Sequence, residues 1–135
     1  MIVGFNFNKI SVERKSALSG KIDISNNVAI TDVDETEFSV GKAKQSGLKI
    51  LFEFTSKYEP NVAEMIFTGE LLYLGDPKKN SEIVKEWKKT KKLGPEITPL
   101  VINTLLQKCH TEALLMSRDV NLPPPILMPK VSAEI

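Results

Sequence analysis

The sequence predicts an α+β fold: an antiparallel sheet made first, with two C-terminal helices laid on one of its faces. Apolar and polar residues alternate with a period of two as far as Leu74. Beyond Gly75 the apolar residues recur at spacings of three and four. Strands first and helices last is the order expected of α+β rather than of a parallel α/β sheet.

The first strand is "IVGFNFNKI", with Val3, Phe5 and Phe7 on one face and Asn6 and Asn8 on the other. "KIDIS" and "NVAITDV" follow, carrying Ile22, Ile24, Val28 and Ile30. "VDETEF" reads as an acidic link and Gly41 to Gly47 as a polar connection. The clearest pair comes next. "GLKILFEFTS" places Leu48, Ile50, Phe52 and Phe54 on one face, and "NVAEMIFTGELLYLG" places Ala63, Met65, Phe67, Leu71 and Tyr73 on one face. Their opposite faces carry Glu53, Glu64 and Glu70 among threonines and aliphatics, the pattern of a sheet with one wet side. Between them Pro60 and Asn61 predict a hairpin turn.

"NSEIVKEWKKTKK" predicts a short helix capped by Asn80 or Ser81. Glu82 falls in its first turn, lysines in its last, and Ile83, Val84 and Trp87 make a narrow apolar stripe. "LGPE" breaks the chain. A longer helix begins with Thr98 as N-cap and Pro99 in the first position, and runs to about Ser117. Ile102, Leu105, Leu106, Cys109, Ala113 and Met116 form its buried stripe, opposite Asn103, Gln107, His110 and Thr111. "RDVNLPPPILMP" comes after. Consecutive prolines make it extended, stiff and poor in amide donors, so it suits packing on apolar neighbours through Leu122, Ile126, Leu127 and Met128.

A chain of 135 residues fits a single domain, 1–135. Net charge is +1, too small for a strong global field toward nucleic acid or membranes. The single cysteine, Cys109, allows no internal disulfide and favours a reducing compartment. Neither a signal peptide nor a membrane span is expected, so the protein reads as soluble and cytoplasmic, without membrane insertion.

Candidate chemistry is sparse. Cys109 and His110 are adjacent, and helix neighbours point about 100° apart, so a nucleophile–base pair is not expected. Asp32, Asp34, Glu35 and Glu37 lack the spacing of a calcium loop and read as a solvated turn. Glu64 and Glu70 share a wet strand face rather than a catalytic geometry. The scattered glycines match no phosphate or dinucleotide loop. No metal or cofactor is implied, and a binding protein is expected rather than an enzyme. Lys78, Lys79, Lys85, Lys88, Lys89, Lys91 and Lys92 surround Trp87. They suggest an alternative, single-stranded nucleic-acid binding through residues 78–92; a solvated helix face with Trp87 turned inward is the favoured reading.

The order of elements resembles the SecB family of export chaperones, most clearly over Gly47 to Val131. The hairpin "GLKILFEFTS…NVAEMIFTGELLYLG" is similar to that family's long central hairpin. "TPLVINTLLQKCHTEALLMSRD" resembles its long helix, ending in Ser117 and Arg118. "VNLPPPILMPKVS" resembles its closing element, with Leu127, Pro129 and Val131 at the recurrent positions. The resemblance implies a four-stranded antiparallel sheet backed by two helices and a homotetramer built as a dimer of dimers. It also implies an ATP-independent holdase activity toward unfolded or precursor polypeptides. Trp87, Leu93, Leu122, Ile126 and Met128 are the expected client-binding residues. Glu53, Glu64 and Glu70 form a partner-facing acidic surface of the kind that docks an export ATPase. Some SecB-like proteins serve toxin–antitoxin pairs, so an antitoxin is a further expected partner.

Overall fold

The computed structural model describes residues 1–17 and 20–125. Strands β1 (Ile2–Arg14), β2 (Asp23–Val40), β3 (Ala43–Glu59) and β4 (Ala63–Leu74) form one sheet in the order β1-β4-β3-β2. Every pairing is antiparallel. Helices α1 (Pro77–Thr90) and α2 (Thr98–Asp119) follow and pack on one face, so the fold is the expected α+β.

The β3–β4 hairpin is the centre. Its inner face stacks Leu48, Ile50, Phe52, Phe54 and Tyr58 beside Met65, Phe67 and Leu71, all essentially sealed from water. Phe54 pairs with Phe67 and Phe52 with Gly69. The turn falls at Pro60 and Asn61, where Asn61 takes φ 52° and the Val62 N–H donates to the Tyr58 carbonyl at 2.9 Å.

Edge strand β1 differs from simple alternation. Its pairing with β4 shifts between Ile2 and Gly4 and again between Phe7 and Lys9. Each bulge inserts one residue and flips the phase of what precedes it. Ile2, not Val3, therefore shares the inner face with Phe5 and Phe7, and Val3 is 46% exposed.

Strand β2 also differs from expectation. Asp32, Asp34, Glu35 and Glu37 do not sit in a turn but inside one 18-residue strand. A bulge between Ile30 and Asp32 turns Val33 into the core, where it is fully buried opposite Ile50. The polar connection from Gly41 to Gly47 shrinks to a tight turn at Gly41 (φ 64°) and Lys42, because Val40 already pairs with Ala43. This end of the β2–β3 hairpin runs past β4, whose Leu74 pairs with Gly47. On the β3 arm Ala43, Lys44 and Gln45 are all exposed, so these residues carry no burial pattern to read.

The helices start differently from expectation. Pro77 takes the first turn of α1 and Asp76 precedes it without a side-chain cap. Asn80 is fully buried instead, its amide donating to the Gly75 carbonyl and the Ser46 hydroxyl, both at 3.1 Å. No acidic residue lies in that first turn, so Glu82 has no capping place there. In α2, Ile97 is the N-cap, and the Thr98 hydroxyl donates back to the Gly94 carbonyl at 2.8 Å. The helix runs to Asp119, two residues beyond Ser117. Its buried stripe is Val101, Leu105, Cys109, Ala113 and Ser117. Ile102, Leu106 and Met116 flank that stripe half-buried. His110 is not on a wet face: its ring meets the edge of Phe54 at a centroid distance of 5.9 Å.

Gly69 permits the close approach of β1 to β4. A Cβ there would run into the Asn6 carbonyl oxygen and lie 2.9 Å from the Phe52 ring. Gly69→Ala is therefore expected to destabilise the fold by about 1–3 kcal/mol through overpacking, read as a lower urea midpoint.

Candidate functional site

Where α1 ends, the packing leaves an opening. Lys91 closes the helix with φ 60°, its N–H bonded to the Trp87 carbonyl at 2.8 Å. The chain then crosses toward α2. Between this crossing, β2 and the start of α2 lies an open groove of about 340 Å³, lined by Ile30, Trp87, Lys91, Lys92, Leu93, Thr98 and Ile102. Ile30, Trp87, Leu93 and Ile102 make its walls apolar. Trp87 is only 5% exposed, and its indole N–H is buried without a partner among the described residues. The Lys91 ammonium stands 5.8 Å from the centre of the indole ring.

Other clefts are polar. One of about 480 Å³ gathers Glu35, Glu37, Lys44, Gln45 and Ser46 at the open end of the β2–β3 hairpin. Another of about 250 Å³ beside α1 carries Glu82, Glu86, Glu96 and Lys79. Among the described residues no cluster of three or more His, Cys, Asp or Glu is placed to hold a metal ion.

Of the residues expected to bind a client, Trp87 and Leu93 line this groove together. Leu122 does not line it: it is 7% exposed and joins the core. Ile126 and Met128 lie outside the described residues, as do Leu127, Pro129 and Val131. Ile30 and Ile102 are the wall residues that sequence reading missed. They come from β2 and α2, and nothing in local spacing brings such distant positions together.

The segment that follows α2 is held by its carbonyls. Tyr58 Oη donates to the Pro123 carbonyl at 2.6 Å and Asn26 Nδ2 to the Pro125 carbonyl at 2.7 Å. Arg14 Nη1 donates to the carbonyls of Val120 and Asn121, both at 3.2 Å. Prolines have no N–H but keep an acceptor. The segment is thus an acceptor ribbon matched to side-chain donors from three strands, with Leu122 plugged beneath it.

On the outer sheet face Glu53, Glu64 and Glu70 share one side of the pleat, and Glu53 is exposed. The other two have cationic neighbours: Lys15 Nζ lies 3.5 Å from Glu64 and Lys49 Nζ 3.0 Å from Glu70. The face is mixed in charge rather than uniformly acidic.

Cys109 is fully buried, and burial pushes its thiol up to about 12. It is a small hydrophobe here, not a nucleophile. A thiol reagent at neutral pH is expected to label Cys109 only at the rate of unfolding. Burial likewise raises the Tyr58 phenol from its usual 10.0 to about 12. The folded state then favours the protonated form, so this contribution to stability is complete below pH 10 and is lost as pH rises toward 12. Tyr58→Phe removes the bond to Pro123, at a cost of about 1 kcal/mol. It is also expected to flatten the alkaline decline seen in denaturant midpoints against pH, and to speed proteolysis after Asp119.

No family model and no curated protein sequence matches the chain. Among solved structures it is similar to a SecB-like chaperone of Mycobacterium tuberculosis, in complex with a ChAD peptide from the HigA1 antitoxin. The TM-score is 0.61 and the identity 11%, over 98% of this chain and 89% of that one. At that identity the likeness is one of architecture, and the chain has a SecB-like fold.

Proposed function

We propose that the chain is a polypeptide-binding chaperone: a non-enzymatic holdase whose groove between α1, α2 and β2 takes apolar segments of non-native chains. The observation that carries this reading is the open apolar groove itself, on a fold shared with a SecB-like chaperone solved in complex with an antitoxin-derived peptide. Fully burying one leucine or phenylalanine is worth about 1.5–3 kcal/mol, less the ordering of the client. One groove is therefore a weak site, and low specificity follows from the non-directional character of the hydrophobic effect. Several grooves in one assembly would act on a single client at high effective concentration.

Assembly is part of the proposal. Strands β1 and β2 form the two edges of the sheet, and β1 exposes Val3 and Ile10. Helix α2 exposes Leu100 and Leu115. Such positions favour a homo-oligomer, with a tetramer as the preferred size. The partners in this reading are unfolded or precursor polypeptides in the cytoplasm. An export ATPase at the face of Glu53, Glu64 and Glu70, or an antitoxin, would place the chaperone in one process or the other. The nucleic-acid alternative is weakened by the inward burial of Trp87, which withholds the aromatic platform that base stacking needs.

At a stoichiometric ratio the protein is expected to suppress aggregation of a chemically unfolded client, measured by light scattering. No suppression by a correctly assembled sample overturns the proposal. Leu93→Asp places a charge in the groove at a half-buried position and is expected to reduce suppression several-fold with little change in melting temperature. Native mass measurement should give a multiple of the protomer, shifted down by Ile10→Lys with Leu115→Lys. Single-stranded oligonucleotide binding that falls steeply with salt would favour the alternative.

A further inference from the structure

The groove has a one-sided charge, and this goes beyond its apolar walls. Its lining holds Lys91 and Lys92 and no carboxylate. Lys88 and Lys89 extend the basic run along the exposed end of α1. None of these lysines lies within ion-pair distance of a carboxylate among the described residues, where the ion pairs join Lys15 to Glu64, Lys49 to Glu70 and Arg118 to Asp119. The neighbouring clefts differ: the one beside α1 is dominated by Glu82, Glu86 and Glu96, and the one by the β2–β3 turn mixes both signs. A small polar cleft between β2 and β3 also carries a lysine, Lys57, without a carboxylate, but its other lining residues are Ser25, Asn27 and Thr55; a pair of lysines beside apolar walls occurs in the groove.

Trp87 lines the slot but is almost wholly buried. The indole N–H of Trp87 is buried and unpaired among the described residues. A donor sealed from solvent in this way offers nothing to a bound chain, so recognition rests on the apolar walls and the lysines. Lysines on long stems can keep their ammonium groups wet while their methylenes cover apolar surface. Lys91 is exposed, with its ammonium 5.8 Å from the centre of the Trp87 ring. The arrangement offers an apolar slot and a cationic rim.

We propose that this groove selects apolar segments flanked by aspartate or glutamate, over equally apolar segments flanked by neutral or basic residues. This rests on the polypeptide-binding reading and adds to it the charge of the preferred client. Client carboxylates would lie against the Lys91 and Lys92 ammonium groups while an apolar side chain enters between Trp87, Leu93, Ile30 and Ile102. Rim charges of this kind steer and discriminate partners more than they strengthen binding. The expected preference is therefore modest, roughly three- to tenfold, and is screened by salt.

The chain has a single tryptophan, so Trp87 reports on the site directly. The test uses three labelled peptides with one common leucine–phenylalanine core, flanked by glutamates, glutamines or lysines. Affinity is read by anisotropy and location by Trp87 emission. The glutamate peptide is expected to bind roughly three- to tenfold tighter than the glutamine peptide and to change Trp87 emission, with the lysine peptide weakest. Lys92→Glu is expected to erase or invert that order. Lys91→Asn, with a residue that tolerates the left-handed backbone there, is expected to weaken it without loss of fold. Equal binding of all three peptides overturns the charge selection and leaves the chaperone reading standing. Absence of binding by any peptide overturns the chaperone reading itself. Selective binding with unchanged Trp87 emission places the site elsewhere and overturns the proposal. So does displacement of the glutamate peptide by a lower concentration of single-stranded oligonucleotide.

Discussion

The structure depends on one aromatic cluster at the inner face of the central hairpin. Phe54 stacks on Phe67 with centroids 5.5 Å apart, and Phe52 stacks on Phe5 at 5.2 Å. Phe7 meets both Phe52 and Phe67 edge-on. Offset stacks and edge-on contacts are the favourable geometries for such rings, and each adds to the burial of its area. Because the side-chain period of a strand is two, a slip of one residue would turn every ring to solvent. The cluster therefore holds the register of β1, β3 and β4 together. Gly69 leaves the room it needs, since any side chain there would meet the Phe52 ring and the β1 backbone.

Helix placement follows from that platform. Helix α2 lays its small residues, Cys109 and Ala113, toward the sheet, and His110 caps Phe54 edge-on. Helix α1 is pinned at its start by the buried Asn80 amide, which ties it to Ser46 on β3 and to Gly75. Trp87, one stripe further along, turns in over β2. The left-handed Lys91 then ends the helix before the gap is filled. The groove is what remains between two helices whose positions are set elsewhere. At the opposite end of the chain path, Tyr58, Asn26 and Arg14 hold the proline segment by its carbonyls. Leu122 belongs to this seal and Trp87 to the opening, although both are large apolar residues next to chain breaks.

Much of the fold was legible because burial is one-sided. Strands β3 and β4 are wet on one face and dry on the other, so their alternation is clean, and Pro60 with Asn61 marks their turn. Legibility failed where an inserted residue broke the phase. Val3 was assigned to the wrong face because a bulge lies beside it, and the acidic run from Asp32 to Glu37 passed for a turn because another bulge precedes it. The polar residues after Gly41 hid a strand, because those as far as Gln45 are all exposed. Helix caps misled in a similar way: Asn80 has the chemistry of a cap but is spent on buried contacts with β3.

By itself the sequence determined the fold class, the element order, the central hairpin and the dry side of most strands. Those are local consequences of periodicity and turn chemistry. It also marked Trp87 and Leu93 as apolar residues beside a chain break. Only the tertiary structure decided that Ile30 and Ile102 join them, that Leu122 seals the core, and that Lys91 and Lys92 rim an apolar slot. These depend on which distant segments are brought together, and that is set by packing rather than by spacing along the chain.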